Sequence, residues 1–478
     1  MLPIVLLSVA GIVNLFLGFL RSNRVLLPFM LLVLALVFGV NLLDWNHAGS
    51  LPGFLSSPYL AQMMTIDNYS VAFSGIVVLT ALLLIPFSRS YVAAGEPNLA
   101  EYYSLLLFAL VGAIMMVSYS HLIMLFVGIE ILSISMYVLA GSDKRNVRSN
   151  EAALKYFLQG AFATGILLFG LALVYGATGT FRVDNLAAAI SLSANASLQP
   201  MFYAGVLLMV IGIGFKVSAA PFHFWTPDVY EGTPTFFTAF MSTVVKTAGF
   251  AAFLKLLALA LPAGSPVWLP TITAMCVLTL LLGNVGAAIQ TSAKRMLAYS
   301  SVSHAGYLLL GLLAAGRDGL TGAAAQSIFF YSLAYSIATV AAFGVLKLVS
   351  DQRQREDYAG LAGLARTNPL LAFTMMVAML SLGGIPLTGG FFGKFFIFMA
   401  AASQGYIALV VFAVLMSMVG IYYYLRPVIA MYMRPAEPGA ETPIVVDAFQ
   451  SATLVLLAVI SLVLGILPGF LSGLLLQP

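Results

Sequence analysis

The sequence has few charged residues, one cysteine and only four histidines. Asp, Glu, Lys and Arg make up 8% of the 478 residues, whereas an ordinary soluble domain contains about 25%. The single cysteine, Cys276, excludes an intramolecular disulfide and a cysteine-ligated cluster within this chain. The histidines are scattered, without the paired spacing typical of a haem or metal site. The composition therefore excludes an ordinary soluble domain and gives no indication of a redox cofactor in this chain.

Hydrophobic residues dominate instead, at 61% of the chain and a mean hydropathy of +1.03. Apolar runs of about 20 residues recur, long enough to cross a hydrocarbon core of about 30 Å. The first run lacks a preceding basic segment and a small-residue cleavage site, so we expect a retained helix and not a signal peptide. These features predict an all-α polytopic membrane protein. Its fourteen predicted transmembrane helices span residues 2–20, 25–43, 68–87, 101–119, 121–141, 150–176, 200–224, 235–261, 267–290, 296–315, 322–349, 369–401, 404–428 and 447–474.

The loops between these spans differ sharply in basic residues. Thirteen Lys and Arg residues follow odd-numbered spans, whereas only Arg182 and Arg317 follow even-numbered ones. Cytoplasmic loops of membrane proteins carry the Lys and Arg excess. The alternation supports the count of fourteen and predicts that both termini lie on the outer side of the membrane.

Six basic residues lie within the predicted spans, and all six are lysines. A charge in the bilayer centre costs at least about 2.5 kcal/mol, so such side chains usually face protein or water. Arginine stays charged, whereas a desolvated lysine can release its proton. The absence of arginine therefore favours groups that change charge. The six are Lys155, Lys216, Lys246, Lys255, Lys347 and Lys394.

Position within the span separates two groups of these residues. Lys255 and Lys347 lie near helix ends, where we expect the stem to be buried and the amine to reach the interface. Three other lysines lie deep within their spans, together with one acid, and we expect these to carry protons near mid-membrane. The four deep residues are Glu130, Lys216, Lys246 and Lys394.

Helix-breaking residues accompany two of the deep lysines. Lys216 follows Gly212 and Gly214 and precedes Pro221, and Lys394 follows the glycines and proline of "GGIPLTGGFFGK". Proline removes a backbone donor, and paired interrupted helices with charges are typical of transporter binding sites. An ordinary proline kink is the alternative. Because the two predicted breaks are five spans apart, we predict two inverted five-helix repeats, helices 4–8 and 9–13, with helices 7 and 12 interrupted. The predicted domains are helices 1–3 in 1–100, the two repeats in 101–265 and 266–430, and helix 14 in 431–478.

Three further features carry two interpretations each. His304 and His223 either relay protons, as an imidazole can near neutral pH, or are hydrogen-bonded packing residues. Glu151 and Lys155 are spaced as an i,i+4 ion pair, which is as often structural as functional.

Five ordered motifs between about residues 101 and 426 resemble a known family. They are "LFVGIEILSISMYVL", "SNEAALKYF", "GFKVSAAPFHFWTPDVYEGTPT", "KRMLAYSSVSHAGY" and "GGIPLTGGFFGKF". Together they resemble the antiporter-like subunits of the proton-pumping NADH:quinone oxidoreductase, respiratory complex I, and within them the subunit N family. The resemblance implies a membrane subunit that moves protons and carries no redox centre. NADH, FMN, iron–sulfur clusters and quinone would belong to the other membrane and peripheral subunits, its partners.

The resemblance also implies roles for individual residues. Glu130 is similar to a glutamate that forms an ion pair with the lysine of helix 7, here Lys216. Lys246 and Lys394 resemble the central lysine of helix 8 and the terminal lysine of helix 12. The residues Glu151, Lys155, His223 and His304 also match family positions. The implied location is a bacterial inner membrane, with both termini on the periplasmic side.

We predict that separation of Lys216 from Glu130 destabilises the charged amine and releases its proton. The proton would pass to Lys246, through His304 and water, and on to Lys394 and the outside. Three alternatives remain: a Mrp-type Na⁺/H⁺ antiporter subunit, a structural membrane subunit without its own channel, and a chloroplast-type relative that takes electrons from ferredoxin. Of these, "PDVYEGTPT" favours the oxidoreductase subunit over the antiporter.

Overall fold

The computed structural model describes residues 2–20, 23–45, 62–186, 196–320, 322–436 and 442–469. Within these ranges the protein is helical, and β-structure is limited to three isolated bridges. The last residues of the final predicted span, 470–474, lie outside the described part, as do Arg21 and the side chain of Arg317.

The chain up to Gly232 forms nine helices among the described residues. Asp67 caps α3 by accepting a hydrogen bond from the Ser70 backbone, and Asn146 caps α7 in the same way through Arg148. Such caps satisfy backbone donors that have no partner within the helix. The helices are α1 (Leu2–Leu17), α2 (Leu26–Leu43), α3 (Asn68–Leu84), α4 (Arg89–Ala93), α5 (Leu99–Ser118), α6 (Leu122–Ala140), α7 (Val147–Thr178), α8 (Gln199–Lys216) and α9 (Trp225–Gly232).

The remaining described chain adds eleven helices. α10 and α11 are joined by a π-helical turn at Met241–Val245, and a second π-helical turn, Leu256–Ala260, follows α11. The helices are α10 (Thr235–Phe240), α11 (Lys246–Lys255), α12 (Ser265–Ala288), α13 (Ala293–Asp318), α14 (Ala323–Arg353), α15 (Tyr358–Leu361), α16 (Leu364–Thr367), α17 (Pro369–Gly383), α18 (Gly389–Ser403), α19 (Ile407–Met433) and α20 (Ala448–Ile466).

Twelve helical segments of the described chain are long and apolar enough to cross a membrane. Three shorter apolar helices, α1, α17 and α18, accompany them. Burial separates the long segments into inner and outer ones. The segments Ala293–Gly316 and Ala323–Arg353 are each 94% buried within the protein, whereas Ile407–Met433 is 22% buried. The protein is therefore a polytopic helical membrane protein in which α13 and α14 lie inside the bundle.

Two apolar segments are broken inside the bundle. α8 ends at Lys216, and the chain turns through Ser218, which has a φ of 62°, before α9 begins. α17 ends at Gly383, and Gly384 adopts a φ of 79° before α18 begins. A left-handed φ is available to glycine without steric cost. Each break places a lysine side chain beside the end of a helix.

The loops group at two ends of the bundle. Residues 292–294 meet 356–357 through a backbone bridge and a hydrogen bond from the Ala293 amide to the Glu356 carbonyl. We call this end, which also includes 142–148, the basic face. Bridges at the other end join Met64 to Tyr119 and His121 to Arg182. We call the end formed by 62–67, 119–121 and 180–184 the opposite face.

Candidate functional site

Lys216 is the last residue of α8, and its side chain is buried against α6. The residue is 5% exposed, and Nζ donates hydrogen bonds to Ser133 Oγ at 2.6 Å and to Tyr137 OH at 3.1 Å. Ser133 Oγ donates its own proton to the Ile129 carbonyl, which leaves its lone pairs free to accept from the amine. The break at Lys216 thus places the amine where α6 supplies acceptors.

Glu130 lies one turn before Ser133 on α6, but it does not contact Lys216 directly. Its Oε1 is buried without a hydrogen-bond partner, and no ion pair between the two residues forms in the structure, which describes both. The carboxylate is close enough to act electrostatically on Lys216 and Tyr137. The two residues are therefore electrostatic neighbours without the closed ion pair that the resemblance implied. The amine instead donates to Ser133 and Tyr137.

Lys246 begins α11 directly after a π-helical turn. The residue is 2% exposed, and Nζ donates to both the carbonyl and the hydroxyl of Ser301 on α13. Tyr335 on α14 donates to the same hydroxyl at 3.0 Å. Ser301 therefore connects the amine to a second polar residue, and π-helical turns often mark functional positions of this kind.

His304 follows Ser301 by one turn on α13 and lies in the centre of a tyrosine cluster. It is 3% exposed, with Nδ1 2.5 Å from Tyr331 OH and Nε2 2.9 Å from Tyr424 OH. Its ring centroid is 4.7 Å from that of Tyr335. Both ring nitrogens have polar partners, one on α14 and one on α19, so the ring can accept a proton on one side and donate on the other.

Lys394 lies on α18 and points back to the break before it. The residue is 5% exposed, and Nζ donates to the Gly383 carbonyl at 2.9 Å and to Ser417 Oγ at 3.0 Å. The amine also lies 4.9 Å from the centroid of the Tyr307 ring. Because α17 ends at Gly383, the amine satisfies a carbonyl that has no partner within its own helix.

The charged pair Glu151 and Lys155 lies at the basic face and not deep in the bundle. Lys155 is 2.7 Å from Glu151 and 2.9 Å from Asp228, which in turn is 3.0 Å from Arg295. Arg295 also pairs with Glu231. Burial alone would raise the pKa of Asp228, but hydrogen bonds from Lys155 and Arg295 outweigh it and lower that pKa. The network joins α7, α9 and α13.

His223 lies in the turn between α8 and α9, away from the cluster around His304. It is half-buried, and Nδ1 is buried without a hydrogen-bond partner. No hydrogen bond of the described structure joins it to the buried lysines. His223 and His304, for which the sequence analysis gave the same two interpretations, therefore have different surroundings.

The two lysines that we expected to reach the interface, Lys347 and Lys255, have different surroundings. Lys347 Nζ is 2.5 Å from Asp351 at the basic face and donates to Ser90 at 2.7 Å. Lys255 is 2% exposed and its Nζ has no hydrogen-bond partner. The expectation for Lys255 was wrong, because neighbouring helices cover the whole residue.

A polar cavity of about 640 Å³ opens at the basic face. Glu356 lies at its wall, where it accepts hydrogen bonds from Lys294 and from Thr235, the first residue of α10. α10 continues through the π-helical turn to Lys246. The cavity therefore lies at the start of the helical segment that carries the buried Lys246 amine.

Sequence reasoning missed the uncharged members of the site. Ser133 and Tyr137 follow Glu130 at spacings of three and seven, which place them on the same face of α6, and that signal was available. The three tyrosines around His304 lie on α14 and α19, and no local pattern links them to it. Among the described residues, no group of three or more His, Cys, Asp or Glu side chains could hold a metal ion.

Comparison with known proteins places this arrangement in a family. Residues 120–420 match the family described as NADH:quinone oxidoreductase/Mrp antiporter, TM. NADH-quinone oxidoreductase subunit N of Cytophaga hutchinsonii is 39% identical over 98% of this chain and 98% of its own length. A chain of respiratory complex I from Thermus thermophilus with bound aureothin is 35% identical, with a TM-score of 0.81 over 98% of each chain.

A third comparison shows how widely the fold is shared. A chain of the Mrp complex from Dietzia has a TM-score of 0.84 over 99% of this chain and 95% of its own, but only 23% identity, so it shows the fold alone. The sequence likeness over nearly the whole length is to subunit N. The chain therefore belongs to the NADH:quinone oxidoreductase/Mrp antiporter family of membrane proteins, and within it to the subunit N family.

Proposed function

We propose that this chain moves protons across a bacterial inner membrane as a non-redox subunit of NADH:quinone oxidoreductase. The observation that carries the proposal is that Lys216, Lys246 and Lys394 are all buried within the bundle and hydrogen-bonded to polar side chains. Buried ionisable groups in membrane helices are energetically costly, and they typically mark paths for ions or protons.

The proposal includes fourteen transmembrane helices, of which helices 4–8 and 9–13 form two inverted repeats, with both termini on the periplasmic side. The short helix α1 would be one span, and α17 with α18 would be the two halves of another. Added to the twelve long segments, these give fourteen. The basic face would then be cytoplasmic, in agreement with its Lys and Arg excess.

The proposed route begins at the basic face and runs through the bundle interior. The cavity beside Glu356 would supply protons to Lys216, which would pass them to Lys246. Transfer from Lys246 would follow Ser301 and Tyr335 to the His304 cluster, where His304 contacts Tyr331 and Tyr424. Lys394 would be the last amine before the periplasm. Gaps between these groups would be crossed by water, as is usual in polar protein interiors.

Glu130 would control the first amine. Its carboxylate acts on Lys216 from the same helix that supplies Ser133 and Tyr137. A movement that changes the distance between Glu130 and Lys216 would change how well the protonated amine is stabilised. Moving a charge against the membrane potential requires about 2.3 kcal/mol per 100 mV. We infer that redox chemistry in partner subunits supplies this energy.

Glu151 and Lys155 would act at the surface and not as carriers. Their network joins α7, α9 and α13, which the proposed repeats assign to both halves of the chain. A shift of one half against the other would break or form these ion pairs. The network is therefore suited to coupling the halves, while His223 has no contact that assigns it a step.

A Lys216→Ala variant of the assembled complex tests the proposal. Proton uptake per NADH oxidised should fall in proteoliposomes because the first amine is lost, while the complex still assembles. Leu207→Ala, on the same helix, is a packing control that should leave the ratio unchanged. A wild-type ratio in fully assembled Lys216→Ala complex would remove Lys216 from the path. Na⁺-dependent transport without NADH would instead favour the antiporter alternative.

A further inference from the structure

Lys255 is a second fully buried lysine on the helix that carries Lys246. It ends α11, nine residues after Lys246, which corresponds to about 13 Å along the helix. The residue is 2% exposed, and its Nζ has no hydrogen-bond acceptor in the described protein. A buried ammonium without acceptors is unfavourable, so this amine must either give up its proton or draw water to itself. Both are properties of a proton carrier.

Tyr119 of the opposite face lies beside the amine, and Tyr69 contacts the same helix. Nζ lies 5.5 Å from the centroid of the Tyr119 ring. Tyr119 OH donates to the Ala252 carbonyl at 3.1 Å, and Tyr69 OH donates to the Ala251 carbonyl at 2.7 Å. Both hydroxyl protons are therefore directed at the backbone of α11, and Tyr119 meets the amine through its ring, in a cation–π contact.

Two acidic residues of the opposite face act on this amine. Asp67 and Asp184 are the acids that act electrostatically on Lys255 within the described chain. Asp67 is half-buried at the start of α3, and Asp184 is exposed at the surface, 3.4 Å from Arg182. The opposite face thus offers one half-buried acid and one exposed acid, both of which act on the buried amine.

The backbone of α11 supports the same interpretation. Lys246 directly follows one π-helical turn, and Lys255 directly precedes the other, Leu256–Ala260. π-helical turns interrupt the regular i→i−4 bonding and recur at functional sites. The two lysines therefore occupy equivalent places at the two ends of one short α-helix, one towards the basic face and one towards the opposite face.

We propose that Lys255 is a further proton-relay residue, which gives the first repeat its own outlet from Lys246 towards Asp67 and Asp184 at the opposite face. This inference rests on the proposed function, because it takes Lys246 as the donor. The outlet would run parallel to the one through His304 and Lys394.

The test uses the whole complex in proteoliposomes and measures protons moved per NADH oxidised. The variants are Lys255→Met, Lys394→Met, their combination, and Lys246→Met. We expect Lys255→Met and Lys394→Met each to lower the ratio in part. The double variant should lower it to the value of Lys246→Met. Leu254→Met, a buried neighbour on the same turn, controls for changed packing and should keep the wild-type ratio.

Lys255→Arg separates a relay from a structural charge. Arginine keeps a positive charge at the site but does not release its proton, so a relay predicts the same loss as Lys255→Met, whereas a structural role predicts the wild-type ratio. If Lys255→Met does not assemble, Lys255→Arg alone decides. Wild-type ratios for the Lys255 variants, with no further fall in the Lys394→Met background, would overturn the inference. An unchanged ratio in Lys246→Met would instead overturn the proposed function.

Discussion

Ser301→Ala is the smallest change that tests the contact between Lys246 and the His304 cluster. The hydroxyl accepts from Lys246 Nζ at 2.6 Å and from Tyr335 OH at 3.0 Å. A hydrogen bond to a charged group contributes about 1.5–3 kcal/mol. The Ser301 carbonyl remains as a second acceptor for the amine, so the lower end of this range is the expected loss. The variant should therefore weaken the protonated state of Lys246 and disconnect it from Tyr335.

The expected kinetic effect follows from that loss. If the loss raises the activation free energy of the proton-transfer step by about 1.4–2 kcal/mol, the rate of that step falls by roughly 10-fold to 30-fold. The assay is the initial rate of proton uptake against NADH oxidation in proteoliposomes that contain the assembled complex. Ser301→Thr keeps the hydroxyl and should recover most of the rate.

Ser303→Ala is the matched control because it lies on the same helix. Its hydroxyl donates to the Ser300 carbonyl and lies 3.3 Å from Tyr423, and it does not contact Lys246. This control should pump protons at the wild-type rate. Equal rates for Ser301→Ala and Ser303→Ala would refute the route through Ser301.

Two further changes act at the second break and at the basic face. Gly384→Ala would place a Cβ 2.9 Å from Lys394 Cδ at a φ of 79°, so we expect about 1–2 kcal/mol of backbone strain and a displaced Lys394 amine. Proton uptake should therefore fall. A wild-type rate of uptake would contradict the role of the Gly383–Lys394 contact. Asp228→Asn removes the carboxylate that pairs with Lys155 and Arg295. Because the pKa of Asp228 is lowered in the folded protein, its carboxylate stabilises the fold at pH values above the pKa of the unfolded state, about 3.9. This stabilisation is lost as the pH falls through the lower pKa of the folded state. The variant should melt earlier than the wild type in detergent at pH 7, and the difference should shrink towards pH 3; an equal difference at both pH values would exclude the charge as its cause.

Several features of the protein were predictable from residue type alone. The high hydrophobic content and the scarcity of charge predict a membrane protein, because lipid tolerates few ionisable groups. The same cost made the deep lysines conspicuous, and Lys216, Lys246 and Lys394 are indeed buried in the structure. The motifs around them predicted the subunit N family, which the comparisons confirmed.

Other features were mispredicted because they depend on distance between helices. Lys255 and Lys347 occupy similar places near helix ends, yet only Lys347 has an acid one turn away to pair with. Sequence position alone could not show that neighbouring helices close over Lys255. In the same way, the sequence could not show that Lys216 donates to Ser133 and Tyr137 and forms no ion pair with Glu130.

The amino-acid sequence by itself determined the class, the family and the deep burial of Lys216, Lys246 and Lys394, because the cost of burying a charge depends on residue type and on the apolar run around it. Only the tertiary structure decided the partners of those groups. His304 meets Tyr331 and Tyr424 from helices 27 and 120 residues away, and Lys155 pairs with an acid 73 residues away. Helical periodicity fixes which side chains share a face of one helix, but the packing of separate helices determines which faces meet.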